Sequence, residues 1–157
     1  MILAVSLLLT LWTTASGIRS LQDEESTHCL ALNIYHESRS ESRLSQFAVS
    51  QVVFNRVESK RFPGSVCEVV RQGIHKRGVP VRNRCQFSWY CDGRNDDPMV
   101  GKAWRNSLEL ATWMMTAKDF LPQLVHGATH YHADYVSPSW SRIRKRVLKV
   151  DSHIFYR

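Results

Sequence analysis

The sequence predicts a mainly α (α+β) fold: one small helical domain with a short hairpin or irregular lobe. Three observations predict it. The 157 residues suffice for one domain with a real core and are too few for two comfortable ones. Apolar residues recur at helical spacing before residue 60 and again beyond residue 100. Between them, residues 74–96 lose that period and hold Gly78, Pro80, two cysteines and three aromatics.

The elements follow in order. Leu30, Ile34 and Glu37 have i, i+4, i+7 spacing, which puts Glu37 on the apolar face of a first helix, near its end. The polar stretch Ser38-Arg39-Ser40-Glu41-Ser42 interrupts the period, and Ser42 caps a second helix over 43–58. There Leu44, Phe47, Ala48, Val49, Val52, Val53, Phe54 and Val57 cover nearly the whole circumference, the pattern of a buried helix. Ser65 with Glu68 forms a capping box for a short helix ended by Gly73. Asp97-Pro98 reads as an N-cap with proline at the first position of a helix to about 119, its stripe being Val100, Trp104, Leu108, Ala111 and Met115. From Thr129 onward short extended segments and loops are expected.

Residues 1–17, with the apolar run Ile2–Trp12 and then Ala15-Ser16-Gly17, match a signal peptide with an A-x-A-like cleavage site, although no Lys or Arg precedes the run. The run is too short for a membrane span. This leaves 18–157 as a single domain, exported to the periplasm or secreted, with no stable membrane span after cleavage. A net charge of +7 suits an anionic envelope polymer in an exported protein, whereas nucleic acid would suit an intracellular one. Four cysteines in such a chain favour disulfides, with three pairings open. Cys85 and Cys91 would lie roughly 20 Å apart if extended, so pairing them requires that Gln86–Tyr90 bend back as a loop. That pairing is favoured, with Cys29–Cys67 as the remainder.

Five groups of residues carry possible chemistry. Glu37, desolvated at a helix end, is a candidate general acid, the alternative being an ion pair with Arg39, Arg43 or Arg56. Glu41 reads as an ion pair or helix N-terminal charge rather than a second catalytic carboxylate. Gln51 and Asn55 are buried amides that either face a ligand groove or tie down a neighbouring loop, the structural use being favoured. In "CQFSWYC", Trp89 offers a face for a sugar ring with Gln86 and Ser88 as hydrogen-bonding neighbours, or else packs under a disulfide loop. In "THYHADYVSPSW", Tyr131 would stack on or border sugar rings and His130 would hydrogen-bond them. His130, His132 and His153 lack strong metal-ligand spacing, so no cofactor or metal is expected. A Cys–His nucleophile is disfavoured, because disulfides consume the thiols.

Taken together, "IYHESRSE", "AVSQVVFNRV", "FPGSVCEVV", "CQFSWYCDG", "THYHADYVSPSW" and "HIFY" occur in the order of the SleB/CwlJ-type cell wall hydrolases, which this chain resembles over about residues 28–156. The resemblance implies a fold similar to goose-type lysozymes and lytic transglycosylases, with the catalytic glutamate ending the first helix, here Glu37. The family's Glu-Ala-Arg-Gly-Glu reads Glu37-Ser38-Arg39-Ser40-Glu41 in this chain, with serine for glycine at 40. The family's accessory peptidoglycan-binding domain is absent, which favours a general envelope role over spore-cortex lysis. The implied reaction is cleavage of the β-1,4 bond between N-acetylmuramic acid and N-acetylglucosamine in peptidoglycan, giving 1,6-anhydro products, or hydrolysed ones if water attacks. A monomer acting on glycan strands, without nucleic acid, is expected. The rivals are a non-catalytic envelope-glycan binder and, third, a nucleic-acid binder.

Overall fold

The computed structural model describes residues 21–157, so the signal-peptide expectation for residues 1–17 lies outside the described residues. A first helix, α1, covers 21–38 of the described residues. It is followed by α2 (Arg43–Glu58), α3 (Val66–Val70), the hairpin β1 (Gly73–Lys76) and β2 (Val79–Cys85), and α4 (Lys102–Ala117). Three strands close the chain: β3 (His130–Ala133), β4 (Arg146–Val150) and β5 (His153–Tyr156). They form one antiparallel sheet in the order β3-β5-β4. The fold is α+β, and the C-terminal third is more regular than its sequence suggests.

Helix α2 is the axis of the domain. Its Val53 joins a cluster with Leu30 and Ile34 of α1, Val69 and Val70 of α3, and Leu110 and Met114 of α4. Its Ala48, Val49 and Val52 join a second cluster with Val125, Val150 and Phe155, against the sheet. A helix packed on both sides needs apolar residues around its circumference, and fully burying one such side chain contributes about 1.5–3 kcal/mol. Two buried amides of α2 find their partners in a distant segment of the chain. Gln51 Oε1 accepts from the backbone N–H groups of Leu124 and Val125 at 2.9 and 3.2 Å, and Asn55 Nδ2 donates to the Ala128 carbonyl at 2.8 Å. Both amides tie down the 122–128 connection, the structural use expected of them.

The local signals at helix starts hold where a side chain caps. Ser42 accepts from the Ser45 N–H, and Ser65 Oγ accepts from the Glu68 N–H while donating to its carboxylate at 2.8 Å. The Asp97-Pro98 start fails, because α4 begins four residues later with Gly101 before it. The stripe shifts accordingly. Val100 is 95% exposed and Leu108 is exposed, while Ser107, Leu110, Ala111 and Met114 face the core. The sequence places a proline-primed start at the first opportunity, but the side chains of Met99 and Val100 stay exposed, so no core packing holds a helical turn there. Arg77 and Gly78, at φ 53° and 79°, make the two-residue turn between β1 and β2. Gly73 also lets the strands close up, since a Cβ there would meet Cys85 Sγ at 2.7 Å. Ser40 is not among the positive-φ residues, so the serine is accommodated at the α1–α2 break without the left-handed conformation that would call for glycine.

Disulfides join Cys29 to Cys67 and Cys85 to Cys91, with Cα separations of 5.3 and 6.1 Å. The first ties α1 to α3. The second closes the aromatic loop, which bends back through a 3-10 turn over Ser88–Cys91.

Candidate active site

Glu37 sits in the last turn of α1. Its Oε2 accepts a hydrogen bond from the Tyr131 hydroxyl at 2.8 Å, across 94 residues of sequence. Burial against its neighbours raises its pKa above the usual 4.5, opposed by the Tyr131 hydrogen bond and the positive field of Arg56. Ser38 Oγ and Arg39 Nη1 donate to the carbonyls of Ile34 and Tyr35 in the same turn, at 3.1 and 3.2 Å. Its residue surface is only half-buried, so the carboxyl sits in a dense environment yet remains reachable. A protonated carboxylic acid beside a hydroxyl donor can give a proton and then take one back.

The three arginines considered as ion-pair partners do otherwise. Arg39 lies over the Tyr35 ring at 4.8 Å. Arg43 reaches the Asn106 carbonyl at 2.8 Å and Glu109 at 3.6 Å. Arg56, 5% exposed, donates from Nε to the Thr129 carbonyl at 2.8 Å and lies over the Phe87 ring at 4.9 Å. Its field reaches Glu37, but no ion pair within 4 Å forms between them. Glu41, expected to pair with an arginine or serve a helix start, instead accepts from Ser152 Oγ at 2.6 Å and pins the β4–β5 turn to the α1–α2 break.

Tyr131 was expected to stand in a loop and border sugar rings. It lies in β3, where alternation sends it to the face packed on α2, with ring centroids 5.5 Å from Phe155 and 5.3 Å from His153. What it offers the site is its hydroxyl. His130 and His132 alternate onto the other face beside Trp140, at 5.4 and 5.6 Å. His130 Nδ1 meets Thr129 Oγ1 at 2.9 Å, and burial with the fields of Arg144, Arg56 and Arg61 lowers its pKa to about 4, leaving it neutral at neutral pH. His132 is held by the Tyr156 hydroxyl at 3.0 Å and His153 by Ser45 Oγ at 3.1 Å, so the three histidines serve separate contacts.

The sugar-stacking reading of Trp89 needs correction. Its ring is 8% exposed within the main core, stacked on His36 at 4.5 Å, and its Nε1 donates to Asn33 Oδ1 at 3.2 Å. The loop turns Trp89 and Phe87 inward because the Cys85–Cys91 bridge forces a tight 3-10 turn, leaving Gln86 and Ser88 outside and exposed. Arg56 and Asn33 are the residues that sequence reasoning underrated. The available signal was a cation on an otherwise apolar helix and an amide on the apolar side of α1.

The first helix thus ends on a desolvated glutamic acid that accepts a hydrogen bond from a hydroxyl on a neighbouring strand. The chain belongs to the Cell Wall Hydrolase family, whose profile matches residues 40–156, beginning just after Glu37. It is similar to the crystal structure of the catalytic domain of Bacillus cereus SleB, at 24% identity and a TM-score of 0.60, covering 85% of this chain and 91% of that one. It is likewise similar to the catalytic domain of a germination-specific lytic transglycosylase, SleB, from Bacillus anthracis, at 26% identity and a TM-score of 0.61, covering 84% and 93%. No curated protein sequence matches. The protein is therefore an enzyme of the cell wall, and its two disulfides fit an extracytoplasmic protein. Among the described residues no helix is long and apolar enough to cross a membrane.

Proposed function

We propose that this enzyme cleaves the β-1,4 bond between N-acetylmuramic acid and N-acetylglucosamine as a lytic transglycosylase, acting as a monomer in the periplasm or outside the cell. The observation that carries the reading is the desolvated Glu37 carboxyl held by the Tyr131 hydroxyl at 2.8 Å. The raised pKa keeps a share of Glu37 protonated where an ordinary carboxylic acid has ionised.

Tyr131 occupies Oε2, so Oε1 carries the proton to the bridging oxygen as the C1–O bond breaks. The substrate's acetamido group supports the developing charge at C1, which removes the need for a second protein carboxylate. Glu37, now a carboxylate steadied by Tyr131 and the field of Arg56, takes the proton of the muramic 6-hydroxyl as that oxygen bonds to C1. The anhydro ring closes, and the acid is regenerated for the next cycle. Gln86 and Ser88, exposed on the disulfide-closed loop, are free to hydrogen-bond hydroxyl and acetamido groups, with His130 as a neutral partner.

The test is purified protein on peptidoglycan with product masses read out. Anhydro products one water lighter than the hydrolysed ones support the reading, and Glu37→Gln should abolish them. Hydrolysed products alone would make the enzyme a muramidase. Lysis by Glu37→Gln at near wild-type rate would end the mechanism.

A further inference from the structure

We infer that the guanidinium cluster around His130 is a carboxylate-binding site, which selects muramic residues bearing the free acid groups of their lactyl-linked peptides. This rests on the proposed peptidoglycan substrate and goes beyond it, since nothing in the cleavage step requires an anion.

The cluster is built from three arginines on separate segments. Arg56 enters from α2, almost wholly buried, with Nε committed to Thr129 and Nη1 without any partner among the described residues. Arg61, in the loop after α2, shares the Phe62 ring with it, the two guanidinium carbons lying 5.9 and 5.3 Å from its centroid. The same ring meets His130 at 6.1 Å. Arg144, just before β4, has a buried Nε that also lacks a partner. All three press their charge on His130, whose pKa they help to lower.

Folding normally pairs such donors, because a buried N–H without an acceptor forfeits its hydration. The ion pairs among the described residues are Arg43–Glu109, Arg71–Glu25 and Lys149–Asp134, and none includes a member of this cluster. Two orphaned guanidinium nitrogens, three unpaired charges and a histidine left neutral ask for an anion from outside. Glu37 does not supply it, since its carboxyl is engaged by Tyr131 and lies beyond ion-pair distance of Arg56.

The chemistry of the anion follows from the substrate. Hydroxyls and acetamides of the glycan are neutral, and the carboxylates of peptidoglycan sit on the peptide that the lactyl group carries in amide linkage, or on the lactyl group itself where no peptide is attached. The planar fork of an arginine matches a carboxylate with two parallel hydrogen bonds. The cluster shares Arg56 with the surroundings of Glu37, so a muramic residue beside the acid would bring its peptide within reach.

The experiment measures binding of a muramyl dipeptide with a free carboxylate against the same molecule amidated, by calorimetry, on the full chain. Wild type should bind the acid about tenfold or more tightly than the amide, as charge-assisted hydrogen bonds require. Arg144→Gln and Arg61→Gln should each collapse that ratio to below about threefold, with circular dichroism reporting a folded domain. Arg105→Gln, which removes an exposed charge from α4, should leave the ratio unchanged. Equal binding of acid and amide by wild type would overturn the site, as would an equal loss in Arg105→Gln, which would reduce the effect to bulk charge. A muramyl dipeptide contains no glycosidic bond between sugars. The binding result is therefore independent of whether the enzyme cuts, and walls that are lysed without acid preference would refute this site alone.

Discussion

Replacing Tyr131 by phenylalanine tests the working geometry of the site at a single oxygen. The ring stays, so the contacts with Phe155 and His153 at 5.5 and 5.3 Å are kept and stability should change by about 1 kcal/mol or less. The lost donation to Glu37 Oε2 matters differently at the two ends of the proton transfer. To a neutral acid it contributes about 0.5–1.5 kcal/mol, and to a carboxylate about 1.5–3 kcal/mol. Only the difference, about 1–1.5 kcal/mol, bears on the barrier, which predicts a loss of about 5- to 13-fold in kcat/KM. The hydrogen bond also lowers the Glu37 pKa, so its removal should move the alkaline limb of the pH–rate profile upward. Turbidity loss of purified walls across pH, beside thermal melts, measures both quantities. A variant with wild-type rate and an unmoved alkaline limb would refute the role given to this hydroxyl. A variant that loses activity and melting temperature together would show that the oxygen holds the fold instead.

Glu37→Gln should lower cleavage by at least about a hundredfold, the usual floor for loss of a general acid. Its stability should move the other way. The folded pKa of Glu37 lies above its ordinary 4.5, so its contribution is full below that value and is lost as pH rises through the folded one. The glutamine variant escapes that loss, and its melting temperature relative to wild type should increase from acid to neutral pH. Trp89→Ala should destabilise the domain by about 3–5 kcal/mol through the cavity and the stranded Asn33 carbonyl, and activity should fall with the melting temperature rather than with substrate affinity. Removing the Cys85–Cys91 bridge should cost about 2–5 kcal/mol and loosen the loop carrying Gln86 and Ser88, measurable by melts with and without reductant. Chelation should leave most of the lytic activity in place, and loss restored by zinc alone would return attention to His130, His132 and His153.

Local rules carried much of the fold. The periodicity of α2, its Ser42 cap and the Ser65–Glu68 box are interactions within one turn of chain, so the sequence determines them directly. The same spacing marked Glu37, because a carboxylate on an apolar stripe is anomalous wherever the stripe packs. Resemblance of ordered motifs then supplied the family, which the profile match over residues 40–156 bears out. The start of α4 was misread because a proline-primed cap is a local preference, and only packing decides whether the turn after it is worth ordering. Trp89 and Tyr131 were beyond local reading for a related reason. Whether an aromatic ring faces a ligand or a core depends on the disulfide that curls its loop and on the register that pairs its strand. The meeting of Tyr131 with Glu37 and the gathering of Arg56, Arg61 and Arg144 are contacts between distant segments. Their energies exist only after the chain has closed, and tertiary structure alone decided them.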